Sequence, residues 1–74
     1  MSVSDLKPGQ QGMVTRVNAR GAVRQRLLDM GLLPNVLLRV ERVAPGGGPV
    51  WISTQGSQMA LRRSEADAIL ISGE

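Results

Sequence analysis

With 74 residues, the chain has room for one domain and one core, because a fold this short buries only about 60% of the surface its unfolded chain exposes. It has no Cys and no His, which excludes disulfides and thiolate or imidazole metal staples and leaves backbone pairing and aliphatic packing to stabilise it. The net charge is +3, and Lys7 is the only lysine among nine basic residues, so guanidinium groups carry nearly all the positive charge. Their forked donors suit carboxylate or phosphate. Codon usage in a GC-rich genome produces the same bias, and only clustering of the arginines in space separates the two readings. The absence of Cys fits a reducing compartment. Met1 to Leu6 has neither a basic segment nor an apolar run of the secretory kind, and no apolar stretch approaches the roughly 20 residues that span a bilayer. A cytoplasmic location is therefore expected.

Lys7-Pro8-Gly9 is a turn signal, and Gly12 punctuates the chain again before a first strand over Met13 to Val17. Val14 and Val17 cannot both face inward on a regular strand, so a bulge or turn is expected between them. Asn18 to Gly21 is a loop. From Ala22 to Met30 the period changes, with Val23, Leu27 and Met30 on one helical face and Arg24, Gln25 and Arg26 turned outward. Gly31 ends this short helix by accepting a left-handed conformation. Asp29 in the last turn opposes the helix dipole, which either a contact with Arg26 or a tertiary partner would offset.

Pro34-Asn35 is a second turn, with positive φ expected at Asn35, and it launches a strand over Val36 to Val43 whose Val36, Leu38 and Val40 share a face. Pro45 to Pro49 is a hairpin tip. The third strand, Val50 to Thr54, turns Val50 and Ile52 one way and Trp51 the other. After a turn at Gln55 to Ser57, a fourth strand covers Gln58 to Arg62, with Met59 and Leu61 inward. Ser64 to Asp67 resembles a capping box opening a single helical turn, and Ile69 to Ile71 forms a last short strand. The fold class is mainly β, a small α+β fold, with one domain over residues 1–74. Short strands in this number expose edges as an open sheet, and a small closed barrel removes them.

The residues give no basis for catalysis. Without His, Cys or Tyr, only Ser or Thr served by a carboxylate or by Lys7 is left as an activated nucleophile, and no motif supports that. Glu65 and Asp67 suit a helix N-terminus better than acid-base work. The triple glycine lacks the Lys-Ser/Thr ending and following helix of a phosphate loop. Oxygen donors and methionine thioethers make a poor transition-metal site, so neither a metal nor a cofactor is expected. Nucleic-acid binding by small barrels combines a basic groove with stacking aromatics, and Trp51 is the sole aromatic residue. No nucleic-acid partner is expected, although such a barrel stays as an alternative.

The features suited to a protein partner are on the surface. Leu32 and Leu33 follow Gly31 in a loop, where they either plug the barrel end or project as an anchor. Trp51 points away from the interior, either under an arginine stem or toward a partner. Arg20 and Arg24 stand four apart on one helix face. Arg20, Arg24, Leu32, Leu33 and Trp51 are thus the candidate partner-binding residues.

The stretch Arg26-Leu27-Leu28-Asp29-Met30-Gly31-Leu32-Leu33-Pro34, with Leu6, Gly9 and Gly12 before it and Pro49-Val50 and Ala60-Leu61-Arg62 after it, resembles the signature of the ferrous iron transport protein A (FeoA) family over nearly the whole chain. Asn35 stands where that family commonly has Gly. The resemblance implies an SH3-like five-stranded barrel with a short helix between the first and second strands and a helical turn before the last. It also implies a cytoplasmic, non-enzymatic accessory role in bacterial iron uptake, with a ferrous-ion-responsive regulatory module as the alternative. The partner implied is FeoB, a membrane ferrous iron transporter with a cytosolic G-protein region, which the chain would bind and modulate, reaching the membrane only through it. Iron-dependent repressors carry the same barrel, but no DNA-binding helix pair precedes it here.

Overall fold

Aliphatic residues at inward positions of every strand define the computed structural model, which describes residues 1–72. A short 3-10 turn, Val3–Asp5, precedes β1 (Gln11–Val17), α1 (Gly21–Asp29), β2 (Leu37–Val43), β3 (Val50–Thr54), β4 (Ser57–Leu61), α2 (Arg63–Ala68) and β5 (Ile69–Ser72). The strands pair antiparallel in the order β4-β3-β2-β1-β5. Five strands laid flat would be about 24 Å wide and one layer thick, whereas this molecule measures 28 × 24 × 23 Å. The sheet wraps around its own contents, and side chains from all five strands meet in one apolar cluster that includes Val14, Leu38, Ile52, Leu61 and Ile69.

Closure is not by hydrogen bonds alone. The strand order leaves β4 and β5 at opposite edges, and α2, which connects them, packs against both and against the N-terminal 3-10 turn. Buried Val3, Leu6 and Ala66 fill that seam. The N-terminus also joins the sheet edge, with the Ile71 N–H donating to the Met1 carbonyl at 2.9 Å.

Both long strands are bulged. In β1 the register shifts between Val14 and Arg16, so that Val14 and Val17 are both buried, as the spacing requires. β2 repeats the device between Val40 and Arg42, a bulge that the sequence reading does not anticipate. Gly31 at φ 90° and Asn35 at φ 73° take the expected left-handed conformations. The end of α1 is a Schellman motif: the Gly31 N–H donates to the Leu28 carbonyl at 2.9 Å and the Leu32 N–H to the Leu27 carbonyl at 3.2 Å.

α1 departs from expectation in its packing. Of the expected inward face, Leu27 is fully buried and Met30 partly so, but Val23 is 48% exposed. The first turn of the helix stands clear of the barrel, and its second half is the attached part. Asp29 is satisfied by Gln25, whose Nε2 donates to Oδ1 at 2.8 Å, and not by Arg26. Arg26 instead forms an ion pair with Glu65 of α2. Glu65 is buried, and its other oxygen accepts the Arg62 N–H at 2.8 Å, capping α2. The helical turn thus starts one residue before the expected Ser64, at Arg63.

The Arg26 to Glu65 pair fastens α1 to the seam of the barrel. Removing Arg26 leaves a buried carboxylate with the Arg62 N–H as its remaining partner, a situation that costs roughly 3–5 kcal/mol where both partners are buried. Because the Arg26 side chain is 50% exposed, a smaller loss of about 1–3 kcal/mol is expected for Arg26→Ala in urea unfolding. The double variant Arg26→Ala/Glu65→Ala should lose less than the sum of the single variants. Strict additivity would show that the pair contributes nothing.

Candidate partner-binding surface

The bulge in β1 does more than bury Val17. By leaving Thr15 as the extra residue between the Val14–Ile71 and Arg16–Leu70 pairs, it turns Thr15 and Arg16 outward together. The Thr15 hydroxyl donates to the Leu70 carbonyl at 3.2 Å. Arg16, Arg20 and Arg24 line a cleft of about 330 Å³ with Asn18, Leu28 and Pro34 on its walls. No carboxylate lines it, and among the described residues none of these three arginines is in an ion pair. Arg20 is the N-cap of α1 yet provides no side-chain cap, and no acidic residue lies in the first turn. The clustering that composition leaves undecided is therefore present, and it includes Arg16, which helical spacing could not find because it lies on a strand.

Leu32 and Leu33 separate cleanly. Leu32 is fully buried in the core, which corrects its assignment as a partner contact. It is the residue after the left-handed glycine, where a Schellman motif directs an apolar side chain back onto the helix, here toward equally buried Leu27. That signal was already present in the order Leu27, Gly31, Leu32. Leu33 is 47% exposed at the first position of a turn closed by the Val36 N–H donating to its carbonyl at 3.1 Å. Pro34 and positive-φ Asn35 fit the middle of a type II turn. Asn35 N–H to the Val14 carbonyl at 2.7 Å and Val14 N–H to the Val36 carbonyl at 2.8 Å tie the turn to β1. Leu33 is thus held outward on a fixed loop.

Trp51 lies on the outer face of β3, half-buried, with the Arg42 guanidinium 4.1 Å from its ring centroid. The β2 bulge turns Arg42 out to make this contact. Of the two readings for Trp51, the structure has it under an arginine, and it does not line the cleft. A second apolar feature escaped the sequence reading: Met13 and Leu37 are cross-strand partners, 41% and 49% exposed. Their positions out of phase with Val14 and Leu38 were the available signal.

Among the described residues, no three His, Cys, Asp or Glu side chains gather as a metal site. No helix there is long and apolar enough to cross a membrane.

A family model described as FeoA domain matches residues 1–73. The chain belongs to the FeoA family. Membership agrees with the small SH3-like architecture above. It is 35% identical over 69 residues to an Fe(2+) transport protein A/Fe(2+) transporter FeoB fusion protein of Porphyromonas gingivalis, a match covering 93% of this chain but only 8% of the fusion. The solution structure of FeoA from Chlorobium tepidum superposes with a TM-score of 0.89 at 41% identity, over 99% of this chain and 70% of that one. FeoA of Stenotrophomonas maltophilia, described as a procaryotic SH3 domain protein and complexed with zinc, gives a TM-score of 0.86 at 28% identity, over 97% of this chain and 89% of its own.

The two leucines of the FeoA signature give a direct test. Leu32→Ala is expected to destabilise the fold by about 2–5 kcal/mol, while Leu33→Ala changes it by less than about 0.5 kcal/mol. Urea denaturation of both variants measures this. Equal losses would mean that Leu33 is also part of the core.

Proposed function

We propose that this FeoA-family chain is a cytoplasmic accessory protein that binds an FeoB-type ferrous iron transporter, at its cytosolic G-protein region, and modulates it. The observation that carries the reading is the Porphyromonas gingivalis fusion, in which an Fe(2+) transport protein A and the transporter FeoB share one polypeptide. Covalent linkage keeps two modules at high effective concentration, an arrangement that favours partners meant to touch. The surface of the present chain is suited to such contact. Unpaired arginines steer encounter with an acidic surface, and exposed Leu33, held on its fixed turn, is a side chain whose burial at an interface is favourable.

On this reading Arg20, Arg24 and Leu33 make the main contacts, Trp51 with its arginine cover is secondary, and association with the membrane is indirect, through the transporter. The chain acts by binding and performs no chemistry of its own.

Capture of the transporter from detergent-solubilised membranes by the tagged chain tests the proposal. Wild type should retain it, and Arg24→Glu and Leu33→Asp should each cut retention about tenfold, in line with loss of an interface anchor, with unchanged circular dichroism. Failure of wild type to capture the transporter, or capture indifferent to both substitutions, would count against it. GTP turnover by the transporter, measured with and without the chain, then separates modulation from tethering, since an unaltered rate removes the former.

A further inference from the structure

We propose that the cleft between the end of β1 and the first turn of α1 is a binding site for a soluble di- or triphosphate group, held by Arg16, Arg20 and Arg24. The inference does not depend on the transporter reading. It starts from a contrast among the arginines. Arg26 pairs with Glu65, Arg39 with Glu41, and Arg42 stacks on Trp51. Among the described residues the three around the cleft, like Arg62 and Arg63 at the start of α2, have no such partner, and Arg16, Arg20 and Arg24 alone of these surround one space, of about 330 Å³, a volume at the small end of ligand sites.

The arrangement also works against the helix that carries it. Cations at a helix N-terminus oppose the dipole, and like charges four apart repel. Here Arg20 occupies the N-cap and Arg24 follows four residues later, without an acidic residue in the first turn. The first-turn amides lack intrahelical acceptors, and no side chain caps them. A bound anion would reverse each of these unfavourable terms together. The β1 bulge adds the third guanidinium from a different element: in a regular strand Arg16 would point inward, and the register shift between Val14 and Arg16 brings it to the cleft.

The number of donors favours phosphate over a single carboxylate. Each guanidinium carries a planar fork of N–H donors, and one carboxylate has about four lone-pair sites and a single charge. A diphosphate supplies more acceptor oxygens and a charge closer to that of the three arginines. Thr15 and Asn18 add polar residues to the lining, and Leu28 and Pro34 add apolar ones.

The test uses the isotopically labelled chain at low salt with sodium pyrophosphate as the probe. Saturable one-to-one shifts are expected for the backbone amides from Asn18 to Arg24, with orthophosphate binding about tenfold more weakly because it carries less charge. Arg16→Gln, Arg20→Gln and Arg24→Gln should each weaken pyrophosphate about tenfold, with the fold unchanged by circular dichroism. Arg39→Gln and Arg42→Gln, on β2 and outside the cleft lining, should bind as wild type does. Shifts that never saturate, or equal weakening by the control substitutions, would reduce the effect to general attraction by a basic protein and overturn the proposal. Such a result would leave capture of the transporter an independent question.

Discussion

Two valines three residues apart on β1 must both reach the core, and this constraint shapes much else in the molecule. A chain without disulfides or metal staples has to bury apolar area efficiently, and the core here is aliphatic throughout. A regular strand would bury Val14 and expose Val17. The extra residue at Thr15 buries both, and its unavoidable by-product is that two successive side chains, Thr15 and Arg16, face outward. The same event in β2 buries Val40, turns Val43 toward the core and sets Glu41 and Arg42 outside. Packing of the interior therefore decides where two of the arginines stand on the exterior, and a substitution in the core at either bulge would be felt on the surface.

The helix is held at one end. Leu27, the Schellman bonds after it and the Arg26–Glu65 pair fasten its second half to the barrel, while Val23 and the arginines at its start lie in water. Burial of one leucine contributes roughly 1.5–3 kcal/mol, which is enough to dock a nine-residue helix that would be marginal alone. Since the fixed end is also the end that carries the turn bearing Leu33, the orientation of that exposed side chain inherits the rigidity of the core. The N-terminal turn, with fewer attachments, is where the molecule can place charge that helix electrostatics alone would disfavour.

Much of this was legible before the structure. Gly31 and Asn35 announced their left-handed turns, the alternation of Val50, Trp51 and Ile52 separated inside from outside, and the spacing of Val14 and Val17 required a bulge. What local pattern could not show is which part of an amphipathic helix meets its neighbour, so Val23 was placed inward when only Leu27 is fully covered. Nor could it show contacts between distant segments. Glu65 as the partner of Arg26, the N-terminal residues bonded to β5, and Arg16 beside Arg20 and Arg24 all depend on tertiary juxtaposition. Leu32 is a different kind of miss, because the glycine before it and Leu27 five residues upstream already specified its direction through the helix-ending motif.

Small folds have few positions to spare, and that makes the location of locally unfavourable choices informative. In this chain arginines stand at the start of both helices, Arg20 and Arg24 on α1 and Arg62 and Arg63 on α2, where the Arg63 Nε is buried without a hydrogen-bond partner, whereas Asp29 at the other end of α1 is answered by Gln25 and Glu65 is answered twice. The conflict at the start of α1 borders the arginine cleft, beside Pro34 and close to exposed Leu33. Under the proposed function, the unneutralised guanidinium groups serve the encounter through charge and the rigidly displayed aliphatic side chain serves retention through apolar contact.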